Sequence, residues 1–110
     1  MKLAAEQPLV VLIDAGSFSV TDNVCAALHD LRPDARFVGQ PTGGGTGAPR
    51  PFPLPRTGAT TTFCTMRVWS PNGTLIEGRG TVPHLAVTPS AEDVANGFDR
   101  ALDAALRALR

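Results

Sequence analysis

The first clear hydrophobic pattern is the unbroken apolar run Leu9 to Ile13, with β-branched residues at Val10, Val11 and Ile13. Such a run predicts a short strand covered on both faces. Asp14-Ala15-Gly16-Ser17 breaks it. From Val20 the apolar positions return at three- and four-residue steps, so that Val20, Val24, Ala27, Leu28 and Leu31 share one helix face. Ser19 followed by Asp22 has capping-box spacing at the start of that helix. Pro33 stops it, and Ala35 to Val38 reads as a second short strand. Strand, helix and strand in this order form a crossover unit, which predicts a parallel pair.

The pattern then changes. Gln40 to Gly58 holds Gly43, Gly44, Gly45 and Gly47 together with five prolines, a composition that predicts an irregular loop. Ala59 to Trp69 reads as a strand, with Phe63, Thr65, Arg67 and Trp69 on one face. Pro71-Asn72-Gly73 is a hairpin signal, and Thr74 to Glu77 is its return strand. His84 to Val87 is expected to be a short edge strand. A final helix is expected from Ala91 to Leu109, capped by Ser90 with Asp93. Its stripe is Val94, Phe98, Ala101, Leu102, Ala105, Leu106 and Leu109, and Arg107 and Arg110 suit its negative pole. With no internal repeat and no linker, residues 1–110 read as a single domain of the α/β class.

Composition narrows the choice of function. Apolar residues make up 43% of the chain and charged residues 18%, as in an ordinary globular protein. Ten basic residues balance ten acidic ones, and no basic block stands out, so neither nucleic acid nor an anionic membrane is indicated as a partner. A net charge of zero leaves little repulsion against self-association, which allows a homo-oligomer. Cys25 and Cys64 lie inside apolar segments with no metal-binding spacing, and both are read as buried free thiols rather than as a zinc site. No signal-peptide pattern or membrane span is present, which leaves the compartment undetermined.

Several residues could carry chemistry. Ser19 stands between a buried strand and a helix N-terminus, where unpaired backbone N–H groups point outward. An N-cap and a nucleophile with the Val20 amide as oxyanion donor both fit that place, and the cap is the commoner of the two. His29 lies about 15 Å beyond Ser19 at about 1.5 Å per residue along one helix, too far to take its proton. The glycine run lacks the Lys-Ser/Thr of a phosphate loop, so nucleotide binding is not expected. Phe63 and Trp69 are read as core residues. No cofactor or metal is implied.

Four segments in register carry a family resemblance. Leu9 to Leu31, with Ser17-Phe18-Ser19-Val20-Thr21-Asp22 at its centre, is similar to the strand, Ser-x-Ser-x-Ser-Glu stretch and alanine-rich helix of the tail-specific (C-terminal-processing) and tricorn serine proteases, peptidase family S41. Val38-Gly39-Gln40-Pro41-Thr42-Gly43-Gly44-Gly45 is similar to the family's Val-Gly-Glu-Pro-Thr-x-Gly segment. Pro71-Asn72-Gly73 and Ile76-Glu77-Gly78-Arg79-Gly80-Thr81-Val82-Pro83 resemble its Pro-x-Gly and Ile-Glu-Gly-x-Gly-Ile-x-Pro-Asp run. Thr88-Pro89 through Gly97-Phe98-Asp99 resembles its final helix.

The resemblance implies a ββα crotonase/ClpP-like superhelix, present here as its C-terminal portion. It further implies Ser19 as nucleophile, the Val20 N–H as oxyanion donor and Glu77 as the carboxylate of the base system. Bacterial members place a lysine base where this chain has Gly45, and Lys2 is the only lysine present. A Ser–Lys dyad is therefore not expected. A tricorn-like base supplied by a missing N-terminal half-domain or a partner chain is expected instead. The function implied is hydrolysis of peptide or protein substrates through an acyl-enzyme, weak or absent in the isolated chain. The alternative is a non-catalytic peptide-binding or assembly module derived from the same family. His84 stands where the family has aspartate and inherits no role. Asp30 matches a family aspartate and is expected to be structural.

Overall fold

The computed structural model describes residues 7–109, so Lys2 and Arg110 lie outside the described residues. β1 (Val10–Ile13), α1 (Val20–Leu31) and β2 (Arg36–Gly39) form the crossover that the apolar spacing predicts. β1 and β2 pair in parallel, with Val10 opposite Arg36 and Ile13 opposite Gly39. Leu9, Val11 and Ile13 point to one face of the sheet, where Ile13 and Phe37 pack with Ala35 and with Cys25 and Leu28 of α1. Phe37 is completely buried there. Burial of its ring removes roughly 1.5–3 kcal/mol worth of apolar surface from water. The continuous run marks β1, but its two faces are unequally covered: Ile13 is buried and Leu12, on the other face beside the buried Val38, is 44% exposed.

Two further strands follow β2. β3 (Pro49–Pro53) and β4 (Thr60–Cys64) form an antiparallel hairpin, with Phe52 opposite Thr61. β3 corrects the expectation of an irregular loop between Gln40 and Gly58. Its prolines fall at every second position, 49, 51 and 53. The Leu54 N–H bonds to Ala59 O at 2.8 Å, which sets the phase so that Arg50 and Phe52 face β4. The missing proline donors all point to the outer edge, the one place where a strand tolerates them. β4 ends at Cys64, short of the expected Trp69. Beyond it only an isolated bridge, Trp69 to Leu75, stands for the expected return strand.

β5 (Leu85–Ala86) adds to β2 in parallel, giving the order β1-β2-β5. The expected single C-terminal helix is two: α2 (Ala91–Ala95) and α3 (Arg100–Ala108). Gly97 separates them with φ +65°, a conformation that terminates a helix and that glycine adopts without strain. Ser90 caps α2 as its spacing predicts, accepting from the Asp93 N–H at 3.1 Å, while Asp93 accepts from the Ser90 N–H at 2.7 Å. Arg100 grips Asp93 through two bonds of 2.7 and 2.6 Å and welds α2 to α3. That guanidinium, followed by the Ser90 N–H, holds the Asp93 carboxyl far below the usual range. α3 packs against β1 and β2.

Much apolar surface stays open. Phe63 and Trp69 are exposed rather than core, Cys64 is exposed rather than buried, and Phe98, Leu102 and Leu106 of the C-terminal stripe are about half exposed. The radius of gyration is 17.5 Å, against about 13 Å for a compact chain of this length. All ten residues of β3 and β4 except Thr61 are exposed, so the hairpin projects from the body.

Candidate active site

The turn after β1 is rigid for local reasons. Asp14 Oδ1 accepts from the Ser17 N–H at 3.0 Å and from the Ser17 hydroxyl at 3.2 Å, so the chain reverses on its own polar side chains. Ser19 then takes φ 63°, ψ −119°. These angles belong to the first central position of a type II′ turn, which is closed here by the Thr21 N–H bonding to Phe18 O at 3.2 Å. Glycine dominates that position, so a serine there is strained. Helix α1 starts at the next residue. The Val20 N–H, at the first helical position, has no partner among the described residues.

Asp22 does more than cap. It is fully buried, and its Oδ2 accepts from the Ser19 N–H at 3.1 Å. Both halves of the expected capping box are present, the Asp22 carboxylate on the Ser19 N–H and the Ser19 side chain facing the Asp22 N–H, although the hydroxyl forms no cap hydrogen bond of normal geometry. The same carboxylate accepts from Gly44 N–H and Gly45 N–H, each at 3.0 Å. Burial and then the Asp22 charge push the Cys25 thiol up. The sequence marked Asp22 as a cap partner, but its bonds to Gly44 and Gly45 depend on tertiary folding and left no local signal.

The glycine run passes close to the serine turn. Gly43 N–H bonds to Ser17 O and Ser19 N–H to Gly45 O, both at 2.9 Å. The Phe18 ring lies so near that a Cβ at Gly45 would run into it. A lysine could stand at Gly45 only if Phe18 moved away. Beyond it, Thr46 N–H donates to Glu77 Oε2 at 3.3 Å, and Gly78 N–H donates to Gly44 O at 2.7 Å. One peptide group, Gly45–Thr46, therefore has its carbonyl on Ser19 and its N–H on Glu77. Ser19, Val20 and Glu77 are brought to one loop. A cleft of about 380 Å³ opens beside Ser17 at the C-terminal ends of β1, β2 and β5, lined by Leu12, Gln40, Val87 and Asp99. Such crevices are where open parallel sheets bind ligands.

The histidines are elsewhere. His84 and His29 stack at 4.9 Å between ring centroids. His84 Nδ1 accepts from the Phe37 N–H at 3.1 Å, which caps the edge of β2 and requires an unprotonated nitrogen. Desolvation, then the neighbouring His29 and Arg36, depress its pKa. Neither imidazole bonds to Ser19 or Glu77. Asp30 accepts from the Asn72 N–H at 2.9 Å and pins the Pro71-Asn72-Gly73 turn to the end of α1. The Ser70 hydroxyl, then the Asn72 N–H, lower its pKa.

This arrangement can be compared with known proteins. The sequence profile of peptidase family S41 matches residues 2–87. A carboxy-terminal-processing protease of Bartonella bacilliformis is 33% identical over 97 residues, which is 88% of this chain and 22% of that protein. A solved structure from Parabacteroides merdae, provisionally assigned as a peptidase, superposes with a TM-score of 0.83 at 32% identity, covering 94% of this chain and 32% of that one. The tricorn protease shares the fold, with a TM-score of 0.76 at 22% identity over 91% of this chain and 10% of its own. This chain thus spans about a fifth to a third of the first two relatives and a tenth of the third. It belongs to peptidase family S41, the serine peptidases.

Proposed function

We propose that this chain carries the nucleophile portion of a serine peptidase site, as the C-terminal part of a ββα superhelical catalytic domain. Ser19 Oγ bonds to the scissile carbonyl carbon and gives its proton to a base; the C–N bond then breaks, and the amine leaves with that proton. Water releases the acyl group by the reverse sequence. The Val20 N–H donates to the oxyanion. Glu77, bonded to the Thr46 N–H, orients or polarises the base. The observation that carries this reading is the strained Ser19 backbone at a helix start, followed by an amide with no partner among the described residues.

The base comes from another segment of the protein or from a partner chain, because the described histidines are engaged with each other and with β2. Peptide or protein is the substrate class; the cleft that Ser17 lines, two residues before Ser19, is the candidate place for it, with Ser19, Val20 and Glu77 outside its lining. Alone, a serine without its base is a poor nucleophile, so the isolated chain is expected to be nearly inactive. The exposed apolar stripe of α3 favours a covering partner.

The test is hydrolysis of a fluorogenic peptide by this chain within its complete protein or complex. Ser19→Ala abolishes turnover, and Glu77→Gln lowers kcat at least tenfold. Turnover unchanged by Ser19→Ala overturns the proposal. A total lack of turnover, with peptide still bound, favours the second reading of a non-catalytic module, for which the projecting hairpin and open apolar faces are the supporting features.

A further inference from the structure

Ser19 and the Gly44–Gly45 loop lie far apart in sequence, yet one buried side chain holds both. The Asp22 carboxylate accepts three backbone N–H groups, two from the loop and one from Ser19, at 3.0–3.1 Å. It has no cationic partner among the described residues. A buried carboxylate without a counter-charge is costly unless its oxygens are filled by donors. Here the donors are backbone amides of the two segments that make up the candidate site. A capping role needs the Ser19 N–H alone. The two bonds to Gly44 and Gly45 are surplus to capping, and they fix the gap across which Gly45–Thr46 reaches from Ser19 to Glu77.

A serine at φ 63° tends to relax toward negative φ unless its surroundings hold it. The Ser19 N–H is held from two directions, by Asp22 Oδ2 and by Gly45 O, and the loop that supplies Gly45 O is itself bonded to Asp22. Rotating the Ser19 peptide would break both bonds. Charge-assisted bonds of this kind are about twice as strong as neutral ones.

We propose that Asp22 is a positioning residue: its carboxylate clamps the Ser19 turn to the glycine loop and keeps the serine and the Val20 amide in reactive register. This rests on the serine-peptidase reading of Ser19. The mechanism predicts a defined asymmetry between replacements. Asparagine offers one acceptor oxygen and puts an NH₂ against an N–H, so Asp22→Asn loses part of the clamp. Glutamate keeps both acceptor oxygens, so Asp22→Glu retains more of it.

The experiment uses a fluorophosphonate on the full chain in its active assembly, together with amide exchange by NMR. In Asp22→Asn, the rate of Ser19 modification falls at least tenfold. Exchange of the Ser19, Gly44 and Gly45 amides accelerates at least tenfold, while those of Phe37 and Val38 in the sheet hold. Asp22→Glu recovers part of the modification rate, which a purely structural lesion would not. If Asp22→Asn does not fold, the unmodified chain still decides the clamp. Through-hydrogen-bond couplings from the three amide nitrogens to the Asp22 carboxylate carbon are expected, and their absence overturns it. Wild-type modification and exchange rates in folded Asp22→Asn also overturn it. An unreactive Ser19 in the wild-type assembly strikes the peptidase reading instead, and the amide measurements then judge the clamp separately.

Discussion

Ser19→Gly should make this protein more stable. Ser19 occupies φ 63°, ψ −119°, where its Cβ is crowded and where glycine is at ease. Strain of this kind costs about 1–3 kcal/mol. Glycine gives some of that back, because its unfolded chain is freer by about 0.4–1 kcal/mol. The Ser19 hydroxyl makes no cap bond that would be lost. The net expectation is a gain of about 1 kcal/mol, or a rise in Tm of about 4–8 °C for a domain of this size. Ser19→Ala is the control, since it removes the same hydroxyl but keeps the Cβ, and it should sit near wild type. Urea and thermal unfolding of the three chains read the difference directly. A glycine variant no more stable than the alanine one would refute the claim of a strained serine. The two variants should share one chemical outcome, the loss of Ser19 modification, so stability and reactivity move in opposite directions at this position.

Other outcomes follow from the same geometry. Phe37→Ala empties a fully buried site and should cost about 3–5 kcal/mol in urea unfolding, a large part of the stability of any small domain. The His84 pKa is depressed in the folded state, so its contribution is complete above the ordinary 6.5 and is lost as pH falls through the lower folded value. Unfolding midpoints should therefore drop from about pH 6.5 downward, and His84→Gln should flatten that first step. A second loss sets in as pH falls through 3.8, where the carboxyl of Asp93 takes up a proton in the unfolded chain, and continues down to the far lower folded value that Arg100 imposes. Cys64 should react with a thiol reagent within the dead time of mixing, while Cys25, 3% exposed and with a raised pKa, should wait for unfolding. Equal reaction rates for the two thiols would contradict the burial of Cys25.

The residues differ in how much they reveal in sequence. Leu9 to Ile13 announced β1 because it is apolar without alternation, although Leu12 stays 44% exposed. The Val20 to Leu31 spacing announced α1 but not its buried face: Val20, Val24 and Leu31 are exposed, whereas Asp22, Cys25 and Ala26 are buried. β3 was hidden by its prolines, whose alternate spacing is harmless only at an outer edge, and an edge is a tertiary fact. Gly97 split the final helix despite an unbroken apolar stripe, because periodicity does not register a single positive φ. That stripe, with Phe63 and Trp69, is apolar as a core should be, yet it is about half open in the fold. Hydrophobic spacing records which face is to be covered, not what covers it. At the candidate site Ser19 and Glu77 were legible from motif register. The peptide group between them and the three bonds to Asp22 were not, because they join segments far apart in the chain.

Ser19, which stands at the N-cap of α1, is proposed to act as a nucleophile as well. The most direct measurement of that role is reaction of the complete protein or complex with a fluorophosphonate, followed by intact-mass and peptide mapping. A nucleophilic Ser19 gives one adduct, on Ser19, absent in Ser19→Ala and slowed in Glu77→Gln. A folded complete protein that stays unmodified, or an adduct that persists in Ser19→Ala, would contradict it.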